Sequence, residues 1–353
     1  MLNFEEFKKQ IMEDLKFALP ERLGELTMEP VNIKKLQNAS YDGISIRREG
    51  EKIGMNLDLT GGYRDYVKDN DYNSILSSMV RIVTNALDNA PRIDIDKLLD
   101  YEAMKNYLTV QVVPTASNEE MLKNIPHRQL EDLSIVYRFV ISQDEDGQQS
   151  ILVTNDLMEK YGIDAAKLHE DAMENAPVYK PVRIRPMTEV LAEMMGEEFA
   201  QAMGIGRNDS EDFMYVATTP GGSFGAGVIT YPEFMDQAAD RVGGDFYMLP
   251  SSLHEVLLVP DRGSMNVREL EEMVRDVNAT QVSEQDRLSD RVYHYDSKEH
   301  VFELAEAYEK RILEKGHDIE ASAIKNLKDK VKHASKDEKP LAADRSKDNG
   351  EVL

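Results

Sequence analysis

The sequence predicts an α+β fold in which mixed or antiparallel sheets pack against helices, followed by a flexible charged C-terminal tail. Three observations carry that expectation. Short β-rich runs come in pairs joined by polar turn residues, helical stripes are punctuated by Pro and Gly, and apolar residues make up 41% of the 353-residue chain. Hairpins mixed with crossovers argue for α+β rather than a doubly wound parallel sheet.

The chain opens with an amphipathic helix: Phe4, Phe7, Ile11, Leu15 and Ala18 fall on one stripe, and Pro20 stops it. Three strands follow, over Met28–Leu36, Gly43–Arg48 and Lys52–Leu59, with turn chemistry at Asp42-Gly43 and Glu49-Gly50. Asn73 is the expected cap of a second helix, which buries Leu76, Met79, Val80, Val83 and Leu87 and ends at Pro91. Ile95–Tyr107 reads as helical and leads into the strand Leu108–Val113. A hairpin then pairs Leu133–Ile141 with Ser150–Thr154 across Asp144-Glu145-Asp146-Gly147. Asn155 and Asp164 are expected to cap two more helices, the second ending at Pro177.

Beyond Val182 strands and helices alternate. Strands are expected at Val182–Arg185, Phe213–Thr218, Phe246–Leu249, Val256–Val259 and Val292–Tyr295. Thr188 caps a helix carrying Phe199 and closed by Gly204, Pro232 opens another, and Val267, Leu270, Val274 and Val277 mark a third. The expected layout is an N-terminal α+β lobe over residues 1–120 and a second over 121–303, with the break between Pro114 and Pro126. A helical-to-disordered tail covers 304–353, its last twenty residues being too polar to order themselves.

Composition narrows the chemistry. Cysteine is absent, which excludes disulfides, thiolate nucleophiles, thiolate zinc sites and cysteine-held clusters. Met outnumbers Phe, 18 to 10, so an adaptable core or contact surface is expected. No run reaches the roughly 18 consecutive apolar residues of a membrane helix. Glu5, Glu6, Glu13 and Asp14 interrupt the start, where a secretory signal is basic and then apolar, so a cytoplasmic location is the expectation. The net charge is −24, and from Glu306 onward 11 basic and 11 acidic residues balance, so the preceding part carries all of it. Nucleic-acid affinity comes largely from basic contacts that release counterions, so direct nucleic-acid binding is disfavoured and protein partners are expected. The ordinary reading of the acidity is colloidal repulsion.

Two segments collect residues with chemical potential. Gly221, Gly222, Gly225 and Gly227 form a G-G-x-x-G-x-G run that leads into Val228-Ile229-Thr230. A phosphate loop needs a following Lys-Ser/Thr, and a dinucleotide turn needs G-x-G-x-x-G opening a helix. The run therefore reads as a flexible strand-to-strand connection, with a ligand-gripping loop as the sharper alternative. The second segment, Ser251-Ser252-Leu253-His254-Glu255, precedes an apolar strand. A hydrolase would use Ser251 or Ser252 as nucleophile, His254 as base and Asp261 as its orienter. In an extended segment His254 lies too close in sequence to reach either serine. The same pattern also serves as a bend held by turn hydroxyls. Glu255 and His254 face opposite sides of a strand and cannot share a metal. No metal site and no cofactor are expected.

Pro181-Val182-Arg183-Ile184-Arg185-Pro186-Met187, Ala217-Thr218, Gly225-Ala226-Gly227 with Tyr231-Pro232, and above all Asp245 to Val256 resemble a bacterial family, domain of unknown function 5688. The resemblance covers Met1–Glu303 and leaves the tail outside. It implies a bacterial protein of a kind found in anaerobic gut bacteria and on mobile elements. It brings no reaction, and implies only that Ser251, Ser252, His254 and Glu255 are characteristic. The reading that follows is a non-enzymatic binding or accessory protein of the bacterial cytosol. Two alternatives stay open: a hydrolase using Ser251–Glu255, and an acidic DNA mimic that occupies nucleic-acid-binding partners.

Overall fold

The computed structural model describes residues 1–37, 40–51, 54–89, 95–144, 147–196, 200, 212–250, 252–263 and 265–315. The chain is α+β, and its described strands form three antiparallel sheets.

The first unit begins with α1 (Phe4–Ala18), whose capping box pairs the Asn3 side chain with the Glu6 amide and the Glu6 carboxylate with the Asn3 amide. Strands β1 (Leu26–Lys34), β2 (Ser40–Arg48) and β3 (Met55–Asp58) form a meander, as their turn residues foretold. Helix α2 (Leu59–Asp69) follows directly, because Asp58 caps it through the Gly61 amide. The sequence hides this helix, since Gly61-Gly62 lowers its intrinsic propensity. Asp71, two residues ahead of the expected Asn73, caps α3 (Tyr72–Asp88) through the Ser74 amide. Phe7, Ile11 and Leu15 of α1 pack with Ile44 and Ile46 of β2, Tyr66 of α2 and Val83 of α3 in one core. Phe7 stacks on Tyr66, their ring centroids 5.4 Å apart.

The second sheet carries strands in the order β4 (Leu108–Pro114), β6 (Leu133–Asp144), β5 (His127–Leu130), with β7 (Gly147–Leu152) also paired to β6. The helical stretch ahead of β4 breaks in two. Asp100 accepts from the amides of Glu102 and Ala103, so α4 (Ile95–Leu98) ends and α5 (Tyr101–Met104) starts anew. Between Pro114 and Pro126 the chain forms α6 (Thr115–Leu122), and the strands on either side of it both pair with β6. Thr154 caps α7 (Asn155–Tyr161) and Asp164 caps α8 (Ala165–Tyr179), which carries Pro177 inside its last turn.

The third sheet runs in the order β13 (Val301–Leu304), β12 (Tyr293–Asp296), β10 (Phe246–Leu249), β11 (Val256–Pro260), β9 (Tyr215–Thr218), β8 (Arg183–Pro186). Its helices are α9 (Met187–Met195), α10 (Phe234–Val242) and α11 (Val267–Thr280). A further helix covers 305–315. Phe199 and Gly204 of the expected helix, Pro91 and the tail from residue 316 lie outside the described residues.

The main core joins the second and third sheets. Both faces of β6 are covered. Tyr137 and Phe139 meet α7 and α8, with the Tyr137 hydroxyl 2.9 Å from His169 Nδ1. The opposite face presents Ser134, Val136 and Arg138 alongside Thr109 and Gln111 of β4. A smaller cluster lies beneath α11. The β1–β2 hairpin reaches this body at its tip, where Gln37 turns at φ 67°. Its amide donates to Asn118 Oδ1 at 2.6 Å, and its side chain donates to the Arg287 carbonyl at 2.6 Å. No helix among the described residues is long and apolar enough to cross a membrane.

Candidate functional site

Pro250 and Ser252–Glu255 lie between β10 and β11, and the described part of this link is bonded on two sides. The Leu253 amide donates to the Asp286 carbonyl at 2.8 Å, and the Leu253 carbonyl accepts from the Ala226 amide at 3.1 Å. Ser252 accepts the His254 amide on its hydroxyl at 3.1 Å, a short local turn. Thr218 Oγ1 donates to the His254 carbonyl at 2.7 Å. Hydrophobic burial of Leu249 and Leu253 draws this turn inward, and its polar groups bond to the neighbouring segments.

The His254 side chain is 42% exposed and both of its nitrogens are engaged. Nε2 lies 3.2 Å from Asp286 Oδ1, and Nδ1 accepts from the Phe224 amide at 3.4 Å. With Nδ1 as an acceptor, it is the Nε2 side of the ring that faces the carboxylate as a donor. Asp286 Oδ2 accepts from the Ser283 hydroxyl at 2.7 Å. The structure therefore brings His254 to Asp286, while the Ser252 hydroxyl meets only the histidine backbone among the described residues. Glu255 is exposed. Ser251 lies outside the described residues. Asp261 sits past the far end of β11, about 20 Å from His254 at roughly 3.3 Å per extended residue. There it pairs with a different imidazole, His294, at 3.1 Å. Burial pushes His294 below its ordinary value in spite of that carboxylate.

The glycine run becomes a buried 3₁₀ helix over Gly225–Thr230, where a strand-to-strand connection was expected. Close approach explains two of its glycines. A Cβ on Gly225 would strike Thr218 Oγ1 and the His254 carbonyl, and one on Gly227 would meet the Val110 carbonyl at 2.7 Å. Gly221 and Gly222 take the left-handed region just before it. The amides of Gly222, Ser223, Phe224, Gly225, Ala226 and Gly227 all donate within the protein. The loop's offering is thus a side chain, Phe224, held out at φ 56°.

Phe224 forms one wall of a cavity of about 450 Å³ between the two large sheets and the hairpin tip. The imidazole of His254 stacks against its ring at 6.1 Å, and the Arg138 guanidinium lies over it at 5.0 Å. Gln111, Leu253, Asp286 and the hairpin residues Lys34, Lys35 and Gln37 complete the surroundings. Cavities of this volume suit metabolite-sized ligands and gather where structural units meet. No cluster of three His, Asp or Glu with metal-holding geometry occurs among the described residues.

The sequence did not mark Arg138, Gln111, Phe224 or Asp286. A usable signal exists for the first two: Arg138 is the one charged residue of Leu133–Ile141, and Gln111 the one amide side chain of Leu108–Val113, both within largely apolar strands. Phe224 and Asp286 lie 30 and 32 residues from His254, beyond any local pattern.

These features define an α+β protein with a polar-lined cavity at the seam of its sheets. The chain belongs to the family of unknown function DUF5688, which matches residues 4–297. The match ends just past β12, so β13 and the helix over 305–315 lie beyond it although β13 pairs along β12. No curated protein and no solved structure matches the chain.

Proposed function

We propose that this chain is a non-enzymatic ligand-binding protein whose site is the cavity beside Phe224, in the bacterial cytoplasm that its composition and family resemblance imply. One observation supports this above others. The Ser252 hydroxyl and both His254 nitrogens are taken up in holding the turn, while the cavity lined by the partners of His254, Phe224 and Asp286, is open to a small molecule. A nucleophile needs a base within hydrogen-bond reach of its own hydroxyl, and the Ser252–His254 contact runs through the backbone instead.

The test is thermal unfolding of the full chain against a panel of small metabolites, beside Gln285→Trp. Gln285 is exposed at the cavity wall, so the indole blocks entry without disturbing the core. The expected result is a compound class that raises the parent's melting temperature and leaves the variant's unchanged. Equal shifts in both proteins overturn the site.

A second reading is favoured by Asp286, which lines the cavity while orienting His254. An ester or amide bound there would sit near an imidazole already held by a carboxylate, which could take a proton from a nucleophilic water once Nδ1 gives up the Phe224 amide. A hydrolytic turnover lost in His254→Ala at unchanged stability establishes this reading and removes the first.

A further inference from the structure

We infer that the cavity selects a small ligand carrying an oxyanion, a carboxylate or a phosphate, which Arg138 and Gln111 grip against the Phe224 ring. This rests on the binding reading above and specifies the ligand's chemistry.

The first support is an unneutralised guanidinium. Arg138 Nε donates to Ser150 Oγ at 2.8 Å and one terminal nitrogen donates to Gln111 Oε1 at 3.2 Å. With the Phe224 ring these are its side-chain partners among the described residues, and every one is neutral. Burial pulls the guanidinium down to about 10, still high enough to keep it charged at neutral pH. A charge taken out of water ordinarily pairs with a carboxylate, and here that place is open. The second terminal nitrogen keeps its donors, in the planar fork that suits two oxygens of one anion.

The second support is Gln111. It is only 2% exposed, it lines the cavity, and its amide nitrogen has no hydrogen-bond partner among the described residues. That nitrogen is not among the sealed, partnerless atoms of the interior, so it stays reachable from the cavity as a donor. Its position beside Arg138 gives an anion two donors of different kinds.

The third is local charge. Lys34, Lys35 and Arg138 face the cavity against one carboxylate, Asp286, in a chain of net charge −24. That carboxylate is itself engaged by His254 and Ser283. Lys180, 4% exposed, is near enough to Arg138 for their charges to repel, and its ammonium donates to the Ser223 carbonyl at 2.8 Å. The seam is thus positive within an acidic molecule. Phe224, Leu253, Leu152 and Leu36 supply apolar walls for the rest of the ligand.

Calorimetric titration of the full chain at low ionic strength, with inorganic phosphate, benzoate and neutral benzamide as probes, tests this. At least one anion is expected to bind, and Arg138→Met is expected to weaken it tenfold or more, with Arg138→Lys intermediate. Gln111→Met gives a second readout should Arg138→Met fold poorly, with a several-fold loss expected. Phosphate binding without benzoate identifies a phosphate ligand, and the reverse a carboxylate; either upholds the inference. Anion affinity that is equal in parent, Arg138→Lys and Gln111→Met overturns it. Benzamide binding that Gln285→Trp abolishes, with neither anion bound, overturns the oxyanion inference while leaving the cavity as the site. Binding of none of the three probes overturns it as well.

Discussion

Between Phe7 and Leu87 one core is assembled from apolar and aromatic side chains, whereas from Tyr101 onward the interior also takes in Thr109, Gln111, Asn118, Asp171, Lys180 and Thr219. Among the described residues, every buried polar or charged residue lies in this later part. Buried polar groups weaken a core unless each finds partners, so their concentration in one region marks a demand other than stability. Some are fully met: Asp171 accepts from the Tyr101 hydroxyl at 2.6 Å and from Lys167 at 2.9 Å. Burial alone would raise the Asp171 carboxyl, yet these two bonds hold it below the usual carboxylate range. Others are met in part: Thr219 Oγ1, Glu271 Oε1, Asn278 Oδ1 and His294 Nδ1 are buried without a hydrogen-bond partner among the described residues. The first unit is built for packing, and the binding role proposed for the seam is what would give the polar interior of the second a use.

Substitutions sharpen this contrast in order of size. Phe7→Ala removes a fully buried ring from the first core and is expected to cost about 3–5 kcal/mol in urea unfolding. A loss below about 1 kcal/mol would mean that this unit is loosely packed. Next is Lys180, which burial draws down to about 8. An unfolded lysine titrates near 10.5, so between pH 8 and 10.5 the unfolded chain holds the extra proton and stability rises with pH. Relative to Lys180→Met, the parent is expected to gain about 2–3 kcal/mol across that window. A flat difference would show an ammonium that stays charged in the fold. Asp171→Ala leaves the Tyr101 hydroxyl buried without its acceptor, for an expected loss of about 2 kcal/mol. The Tyr101→Phe, Asp171→Ala pair should recover part of it in a double-mutant cycle.

The same contrast decides what the sequence could disclose. In the first unit the stripe Phe7, Ile11, Leu15 and the meander turns are local signals, and they led to the right elements. What escaped there was α2, because Gly61-Gly62 hides a helix that Asp58 caps and packing completes. In the body, most strands and most helices were legible within a few residues, β5 and β13 being missed, and Ser252 and His254 were legible as a distinctive junction. The contacts of His254 were not. Asp261, seven residues on, was the nearest aspartate in sequence, yet an extended strand carries it away and Asp286 arrives instead from the segment after α11. Arg138 was passed over because one charge in a run of apolar residues does not alter a strand's periodicity. Its meaning comes from Gln111 on the neighbouring strand and Phe224 from the glycine loop, contacts fixed only by the tertiary fold.

Urea unfolding of Arg138→Met beside the parent, without ligand, tests most directly whether the seam's charge serves binding and not stability. Methionine fills much of the same volume without a charge to desolvate, so the variant is expected to match the parent within about 1 kcal/mol or to exceed it. A loss of about 3 kcal/mol or more, at unchanged denaturant dependence, would show that the guanidinium holds the two sheets together and would contradict the binding role assigned to it.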